Sequence, residues 1–459
     1  MAANRRAVLS FRRGALMAAW TLAAWSLGCS VRDSNLIQAG PAGPMGDAGA
    51  SGEPLPRSVA AAIDERPNGG ASLTTGTTGG GTLAQARAAD SLHVVSTLAE
   101  LAAVLGGDSP AVVLVTEGTL VGAGNARTVQ VCTQGCPAGS GISQETVASG
   151  YCSSQDVLFT TQLTTQTLRV GSNKTIIGLG AGARFSNVTI ALNGSSNVIL
   201  RNVSIEDVGD GLSSVADGLQ IWAGDHIWID HVTFRNISQA YVNLASTWDD
   251  ANGQALTVEA GYITFSNLHF DGFVRGSCTQ KSEFVLGSSR NPAVTVANSW
   301  FDGARNRNPS LFGPGTWGHA FNNLWTDIEK TGLSVSCGAV GLAQGNVFQR
   351  THEALRVDDA GPPTWLFCAA GMFGQLYAPM GSGNDEENLV DGNSTLSLDA
   401  QPTSGVGLVL PTRIAGDEFE LTVPVQLGAS SATYRVTLAS NPTDVPAQVR
   451  AQAGVGHLF

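Results

Sequence analysis

Short apolar runs with alternating polar positions recur along most of this chain, and each run ends at a polar residue that is usually Asn. Residues 198–203 read Val-Ile-Leu-Arg-Asn-Val, and residues 263–268 read Ile-Thr-Phe-Ser-Asn-Leu. A second apolar stretch follows each polar residue, as in Val232-Thr233-Phe234. Alternation with a period of two residues predicts β-strands. The polar residue between two strands predicts a corner, because Asn tolerates left-handed backbone geometry.

The phrase of strand, polar residue and strand returns six times, which predicts a solenoid. From one polar residue to the next the steps are 29, 36, 31, 25 and 23 residues. The polar residues are Asn202, His231, Asn267, Asn298, Asn323 and Asn346. One unit cannot bury its apolar face alone, but stacked coils form a continuous core, and stacked Asn amides can hydrogen-bond along a ladder. A β-sandwich would not repeat one phrase in this way. The pattern therefore predicts an all-β chain in which residues 71–459 form a single right-handed parallel β-helix.

The N-terminal residues are typical of an export signal rather than of a folded element. Two arginine pairs precede an apolar run over residues 15–27, which is too short to span a bilayer comfortably. The run ends at Ser26-Leu27-Gly28-Cys29, which resembles a bacterial lipoprotein signal. We therefore expect residues 1–28 to be removed, Cys29 to be lipidated, and the protein to be held at the outer membrane or cell surface by this lipid. The alternative is an ordinary cleaved secretion signal. Residues 29–70 read as a linker, because Gly recurs at every third position from 40 to 52.

Composition and charge narrow the class of partner. Only 14% of residues are charged and 56 are Gly, which suits short strands and turns rather than a helical bundle. The formal charge is −12; loss of residues 1–28 removes four Arg and no acid, which leaves 21 − 37 = −16. Such a surface repels nucleic acid. We expect a monomer. Apart from Cys29, six cysteines remain, an even set that suggests disulfides of undetermined pairing: Cys132, Cys136, Cys152, Cys278, Cys337 and Cys368.

Several motifs together resemble the pectin and pectate lyase family. They are Thr77-Thr78-Gly79-Gly80-Gly81, the stretch 94–101, Ser172-Asn173-Lys174-Thr175-Ile176-Ile177-Gly178, Asp217-Gly218-Leu219-Gln220-Ile221, Trp228-Ile229-Asp230-His231, the stretch 307–323, and the C-terminal stretch 434–456. No single motif is decisive, but their order and spacing extend over about 380 residues. The resemblance implies an enzyme that cleaves pectin or polygalacturonate by β-elimination. In that reaction a base removes the proton next to the uronate carboxyl group, and charge collects on the carboxyl oxygens.

The resemblance also implies how that charge is balanced. Pectate lyases use calcium held by several carboxylates, whereas in pectin lyases the methyl ester already removes the charge. Here Asp217 keeps one acidic position of the calcium pattern, while Val215, Gln239 and Asn243 occupy others. Calcium prefers about six to eight oxygen ligands. We therefore expect no cofactor; the alternative is a calcium-dependent enzyme in which Asp249 and Asp250 supply replacement ligands.

The resemblance assigns catalysis to Arg307, within Arg307-Asn308-Pro309, together with Asp217. The family's role for Arg307 is proton abstraction, but a guanidinium has a pKa above about 12 and suits an oxyanion clamp better. The substrate-binding Lys of the family aligns with Ser282, and Lys281 could serve only if a bulge intervenes. A second basic position of the family is Phe312. We expect Gln239 and the aromatic residues Trp222, Trp248 and Trp317, with Tyr241, to contact the sugar chain, although packing between coils would also explain the rings.

Two other interpretations of the sequence concern His231 and the type of activity. Asp230 and His231 are adjacent in a strand and should face opposite sides, so we expect His231 to be a corner residue and not part of a dyad. A glycoside hydrolase would need paired carboxylates, and the sequence around Asp217 offers no obvious second acid. An inactive β-helix that binds polysaccharide is the alternative from another class.

Overall fold

The computed structural model describes residues 55–124, 126–131, 157–162, 165–209, 217–237, 239–245, 247–249, 255–257, 261–272, 283–287, 293–313, 316–357, 374–381, 386–398, 412–424 and 431–459. Three parallel sheets run through these residues, and successive strands of each sheet come from successive coils. This is the right-handed parallel β-helix that the repeated phrase predicts. The predictions for residues 1–54, including Cys29 and its lipid, lie outside the described residues.

The strands are numbered in chain order, and the three sheets are called I, II and III. Sheet I contains β1 (Leu92–Val95), β2 (Ala111–Val115), β7 (Lys174–Gly178), β10 (Ser196–Arg201), β13 (Asp225–Asp230), β18 (Gly261–Ser266), β21 (Val294–Ala297), β24 (Trp317–Phe321), β27 (Val340–Gln344) and β30 (Gln375–Tyr377). Sheet II contains β3 (Gly118–Val121), β8 (Ala183–Ser186), β11 (Val203–Val208), β14 (Thr233–Ile237), β19 (His269–Asp271), β22 (Trp300–Asp302), β25 (Leu324–Thr326), β28 (Val347–Gln349) and β31 (Leu389–Val390). Sheet III contains β6 (Gln166–Arg169), β9 (Val188–Ala191), β12 (Leu219–Trp222), β15 (Ala240–Ala245), β20 (Glu283–Gly287), β23 (Ser310–Phe312), β26 (Thr331–Ser336), β29 (Glu353–Val357) and β32 (Thr395–Leu398).

Shorter elements lie outside the three sheets. They are the antiparallel pairs β4 (Ala126–Val131) with β5 (Val157–Gln162) and β16 (Thr247–Asp249) with β17 (Ala255–Thr257), the small sheet of β33 (Thr412–Ala415), β34 (Glu418–Pro424) and β35 (Ser431–Thr437), the helices α1 (Arg57–Asp64), α2 (Leu83–Ala88), α3 (Leu98–Leu105) and α4 (Val445–Gln452), and the 3-10 turns at Gly69–Ser72 and Pro442–Asp444. None of the helices in the described part of the chain has the length and apolar character needed to cross a bilayer.

The interior of the coil is a column of stacked side chains. On sheet II the inward rings of Phe234, Phe270, Phe301, Trp325 and Phe348 lie in register, one on each coil. Successive ring centroids are 5.3, 4.5, 4.9 and 4.3 Å apart, and the ring planes are nearly parallel. Each ring is fully buried, so one coil supplies part of the apolar surface that the next coil needs.

The corner between sheets I and II has left-handed backbone geometry, as the Asn positions predict. Asn202, His231, Asn267 and Asn298 have φ of 54°, 51°, 52° and 52°. In the next two coils the left-handed residues are Asn322 and Gly345, so the predicted anchors Asn323 and Asn346 were one residue late. His231 is confirmed as a corner residue.

Asn323 and Asn346 instead form a buried ladder with Asn388, one coil further on. Asn323 Nδ2 donates to Asn346 Oδ1 at 3.0 Å, and Asn346 Nδ2 donates to Asn388 Oδ1 at 2.8 Å. Each amide also binds backbone groups of the neighbouring coil: Asn346 Nδ2 donates to the carbonyl of Ala320 at 2.9 Å, and its Oδ1 accepts the Asn323 amide N–H at 3.0 Å. The ladder therefore saturates polar groups in an interior that water does not reach.

The outer face of sheet I is covered by the N-terminal segment. The backbone N–H groups of Gly70, Ala71 and Gly80 donate to the hydroxyls of Thr295, Thr264 and Thr175 at 2.9, 3.0 and 2.9 Å. A Cβ atom on Gly70 would lie 2.7 Å from the carbonyl oxygen of Ala293, so only Gly permits this approach. Residues 55–70, which we placed in the linker from the sequence, therefore belong to the folded domain.

Candidate active site on sheet III

A polar row crosses the outer face of sheet III. Leu219, Ile221 and Leu244 point into the core, so the alternation of a strand places Gln220 and Asn243 on the opposite face. The register aligns Gln220 with Asn243, Asn243 with Val285, and Val285 with Ser310. The strands β12, β15, β20 and β23 are parallel, so the residues just before them meet at one edge of the sheet. These preceding positions include Asp217, Gln239 and Arg307.

Asp217 precedes β12 and its carboxylate is held by two amides of this row. Its Oδ2 accepts a hydrogen bond from Asn243 Nδ2 at 2.9 Å and one from Gln220 Nε2 at 3.3 Å. Its backbone carbonyl accepts from the Thr189 hydroxyl at 2.8 Å. Asp217 is 2% exposed, so these contacts fix the position of the carboxylate. The sequence analysis gave Gln220 no role, although its place in the motif one position before Ile221 puts it on the outer face beside Asn243.

The described donors around Asp217 do not fit calcium. Two N–H groups point at Oδ2 of Asp217, and Asp217 belongs to no group of three His, Cys, Asp or Glu side chains within metal-binding reach among the described residues. Gln239 lies in the turn before β15, and its buried Oε1 has no hydrogen-bond partner in the described part of the chain. Asp249 ends β16, but its side chain and all of Asp250 lie outside what the structure describes. One carboxylate is a poor match for a hard cation.

Arg307 lies three residues before the start of β23, and both of its neighbours anchor the turn. Arg307 has a left-handed φ of 55°, and its carbonyl accepts the Phe284 N–H at 3.1 Å. Asn306 Nδ2 donates to Glu283 Oε1 at 3.0 Å, and Asn308 Nδ2 donates to the Asn306 carbonyl at 2.8 Å. The Arg307 side chain is half-buried, and within the described ranges no carboxylate forms an ion pair with it. A cation is thus held at the sheet edge without a protein counter-charge among the described side chains.

Glu283 is a residue at this edge to which the sequence analysis assigned no role. It begins β20, its N–H donates to the Gln239 carbonyl at 3.2 Å, and its carboxylate accepts the Asn306 amide. It therefore links the turn of Gln239 to the turn that carries Arg307, as a positioning residue. Lys281 and Ser282, which precede it, lie outside the described residues. The signal for Glu283 was present, since an acid at the first position of a strand lies at the same edge as Asp217.

A second row on sheet III is apolar. The register aligns Trp222 with Ala245 and Gly287 with Phe312. Ala245 and Gly287 directly follow Leu244 and Leu286, which are aligned between β15 and β20. Trp222 and Phe312 are half-buried. A Cβ atom on Gly287 would lie 1.8 Å from the Phe312 ring, so the ring lies directly over the glycine. The side chain of Trp248, in β16, lies outside the described residues.

Two of the aromatic predictions are wrong. Trp317 belongs to sheet I, is 3% exposed, and packs edge-on against Tyr434 with ring centroids 6.3 Å apart. Tyr241 points into the coil, where it contacts Phe234 and Phe270 and donates its hydroxyl to the Gly272 carbonyl at 3.2 Å. Both rings are enclosed by packing and cannot contact a sugar chain at sheet III.

Asp230 and His231 do contact each other, which corrects the expectation that they face opposite sides. His231 Nδ1 lies 2.7 Å from Asp230 Oδ2, because the left-handed φ of His231 breaks the strand alternation. Asp230 also pairs with Arg201 at 2.7 Å. Burial opposes ionisation of Asp230, but the hydrogen bond from His231, the nearby charges and the Ser266 hydroxyl lower its pKa to about 2. This cluster lies on sheet I and anchors α1, since Arg201 donates to the Ala62 carbonyl at 2.8 Å. It is structural.

Of the six cysteines only Cys337 is among the described residues. It is fully buried, has a left-handed φ of 56°, and is disulfide-bonded. Pairing among the six remains a prediction.

Comparison with known proteins agrees with the geometry of the site. A family model described as pectate lyase matches residues 150–362, the range that carries Asp217, Asn243 and Arg307. The Aspergillus terreus protein named "Probable pectin lyase F-2" is 29% identical over 294 residues, which cover 62% of this chain and 57% of that protein. "Probable pectin lyase F" of Aspergillus flavus is 26% identical over 397 residues, covering 84% and 82%.

Solved structures show the same fold. A pectate lyase from a Paenibacillus species superposes with a TM-score of 0.52 at 17% identity, covering 86% of this chain and 96% of that one. A pectate lyase from Acidovorax avenae gives 0.50, also at 17% identity, covering 86% and 95%. From the repeated coils, the placement of Asp217 and Arg307 at one sheet edge and these relatives, we conclude that the chain belongs to the pectin and pectate lyase family of polysaccharide lyases.

Proposed function

We propose that this protein cleaves methyl-esterified polygalacturonan by β-elimination and that it does so without calcium. The observation that carries the proposal is the state of Asp217, whose Oδ2 is occupied by the amide donors of Asn243 and Gln220. A carboxylate held in this way positions the side chains of Asn243 and Gln220. Without calcium to neutralise a uronate, the substrate has to be neutral already, as it is when its carboxyl group is a methyl ester. The names of the Aspergillus relatives support the same substrate class.

The apolar row supports an esterified substrate independently. The rings of Trp222 and Phe312 lie on the outer face with Ala245 and Gly287 between them, so this strip offers flat apolar surface rather than charge. Methyl esters and the apolar faces of sugar rings gain free energy against such surfaces, whereas a free carboxylate would lose hydration there. The overall charge of −12 also disfavours a fully ionised polyanion.

In this mechanism Arg307 is the group that meets the developing charge. Removal of the proton next to the ester carbonyl places negative charge on the carbonyl oxygen, and a guanidinium fixed at that point stabilises the transition state more than the ground state. The turn that carries Arg307 is held by Glu283 through Asn306. The family resemblance assigns proton abstraction to the same arginine. The C4–O4 bond then breaks: O4 leaves with the bonding electrons and takes a proton from solvent to become a hydroxyl, and a double bond forms between C4 and C5 of the new non-reducing end.

The test is ultraviolet absorbance of the purified protein with highly methylated pectin and with polygalacturonate, each with chelator or with added calcium. We expect absorbance to rise with methylated pectin in the presence of chelator, because only elimination forms the conjugated double bond. A rise only with polygalacturonate and calcium would replace the proposal by a calcium-dependent pectate lyase. New reducing ends without absorbance would mean hydrolysis, and neither signal, with retained binding to pectin, would mean a binding protein.

A further inference from the structure

A group of metal-ligand side chains lies on sheet II, away from the candidate active site. His269 and Asp271 are the first and last residues of β19, and Asp302 ends β22 on the next coil. The register aligns Asp271 with Asp302 and His269 with Trp300. Phe270, between them, points into the core, so all three side chains lie on the outer face. Among the described residues this is the only group of three His, Cys, Asp or Glu side chains whose ligand atoms lie within 4.8 Å of one another.

The spacing suits two ligands of one ion better than a hydrogen bond. His269 Nε2 lies 4.0 Å from Asp302 Oδ2, beyond hydrogen-bond range. Nε2 is nevertheless buried, and it has no hydrogen-bond partner among the described residues. Metal–nitrogen and metal–oxygen distances are about 2.0–2.2 Å, so a bound ion would bridge this gap after small side-chain movements.

Each ligand is oriented by a second contact that leaves a ligand atom available. Asp302 Oδ1 accepts the Thr326 hydroxyl at 2.9 Å, so Oδ2 is the oxygen that faces His269. Asp271 Oδ2 accepts from Arg235 at 2.5 Å, which leaves its other oxygen. The His269 ring is stacked on Trp300 with centroids 4.6 Å apart and planes 10° apart.

Thr326 joins these supports into one unit, because its hydroxyl also accepts the Trp300 indole N–H at 2.9 Å. One hydroxyl therefore fixes both the carboxylate of Asp302 and the ring on which His269 stacks. Outer contacts of this kind orient ligands in metal centres.

We propose that His269, Asp271 and Asp302 bind one divalent transition-metal ion of the zinc class. One imidazole with two carboxylates is a donor set for Zn²⁺, Co²⁺ or Mn²⁺, whereas calcium prefers oxygen alone. Arg235 pairs with one of the two carboxylates, that of Asp271. The ion would tie β19 to β22 beneath the C-terminal segment, since a Cβ on Gly454 would lie 2.9 Å from His269 Cβ. Its role is structural, so it raises stability by binding the folded state.

The test uses the full chain, freed of metal by chelator and without any histidine tag. Isothermal titration with Zn²⁺ is expected to show one site with a Kd on the order of micromolar. Co²⁺ should give visible absorption bands, and Zn²⁺ should raise the unfolding temperature. His269→Gln and Asp302→Asn should each weaken binding by at least about tenfold, and Thr326→Val by a smaller factor.

His352→Gln is the matched control, because this histidine is exposed on a later coil and should leave binding unchanged. Circular dichroism without metal shows whether each variant folds, and the Thr326→Val variant keeps all three ligands should His269→Gln fail to fold. Absence of a 1:1 site, or equal affinity in the wild type and both ligand variants, overturns the proposal. Lyase activity, which we assign to sheet III, is measured in a separate assay, and its result does not depend on whether a metal binds at sheet II.

Discussion

At the scale of single residues, Arg307 is defined by what holds its backbone. Its carbonyl accepts the Phe284 N–H, Asn306 is bound by Glu283, and the Asn308 N–H donates to the Gly332 carbonyl at 2.7 Å. The turn is thus fixed to the strands before and after it, while the guanidinium has no ionic partner among the described residues. Because the backbone of this turn is already fixed, only the side chain of Arg307 has to become ordered when it binds a developing oxyanion.

We predict that Arg307→Ala lowers kcat on methylated pectin by about 10²- to 10³-fold, the cost of removing one oxyanion donor. Arg307→Lys should lose less, because it keeps the charge but not the planar fork of donors. The rate of ultraviolet absorbance increase measures both variants. Arg184→Ala is the control, since this arginine pairs with Glu206 at 2.9 Å on sheet II. Activity of Arg307→Ala within threefold of wild type would remove Arg307 from the reaction.

The sequence predicted which residues lie at the edge of sheet III better than it predicted which aromatic side chains are exposed. Asp217, Gln239 and Arg307, which the resemblance assigned to the site, precede the strands β12, β15 and β23 of one sheet. Trp222 and Trp317 looked equivalent in the sequence, because alternation distinguishes two faces but does not say what covers the outer one. Trp317 is buried in a cluster that includes Tyr434 and Phe419, both about a hundred or more residues later in the chain. Asp230 and His231 meet because a corner, which periodicity does not resolve to one residue, falls between them.

At the scale of elements, the buried ladder of Asn323, Asn346 and Asn388 joins each coil to the next through side-chain hydrogen bonds. The Asn346 amide contacts Asn323 and Ala320 on the preceding coil and Asn388 on the following coil, so it joins three successive coils. The sequence predicted a ladder of Asn amides, and the repeated phrase predicted the coils that carry it. It did not predict Asn388, because the residues before it do not repeat the phrase.

We predict that Asn346→Ala lowers the free energy of unfolding by about 2–4 kcal/mol, because it leaves several buried hydrogen-bonding groups unpaired. Urea denaturation followed by tryptophan fluorescence measures the change, and amide hydrogen exchange should increase first in β25 and β28. Asn393→Ala, at an exposed turn position, is the matched control and should change stability by less than about 0.5 kcal/mol. Equal losses in the two variants would mean that the ladder contributes nothing particular to stability.

At the scale of the whole molecule, the three sheets differ in what lies on their outer faces. Sheet I is covered by residues 69–81 and by the small sheet that carries Tyr434. Sheet II carries the group of His269, Asp271 and Asp302 and is also packed against the C-terminal helix. Sheet III carries the polar and apolar rows. The solenoid followed from local periodicity. The segments that cover the outer faces could not be predicted in the same way, because their contacts join parts of the chain that are far apart in sequence and show no period.

The contact between the small sheet and sheet I should make stability depend on pH through His319. This residue is fully enclosed: Nδ1 lies 3.0 Å from the Tyr434 hydroxyl and Nε2 lies 3.1 Å from Gln344 Oε1. Gln344 Nε2 in turn donates to Glu386 Oε2 at 3.4 Å, so the amide of Gln344 lies between the imidazole of His319 and this carboxylate. Burial lowers the pKa of His319 to about 3 from 6.5, against the opposing effect of Gln344. The unfolded chain therefore binds a proton that the folded protein excludes between these two pKa values.

The contribution of His319 to stability should consequently be constant above about pH 6.5 and fall as the pH drops towards 3, with a slope approaching about 1.4 kcal/mol per pH unit. His93, whose pKa is also lowered by burial, adds a change of the same sign. His319→Phe removes the titrating group while it fills the space, so between pH 6.5 and 4.5 its stability should vary less with pH than that of wild type, even if it is lower at pH 7. Urea denaturation at a series of pH values measures the slopes, and His352→Gln, at an exposed site, should keep the wild-type slope. If His319→Phe keeps it too, the acid sensitivity lies in other groups and the small sheet is not its source.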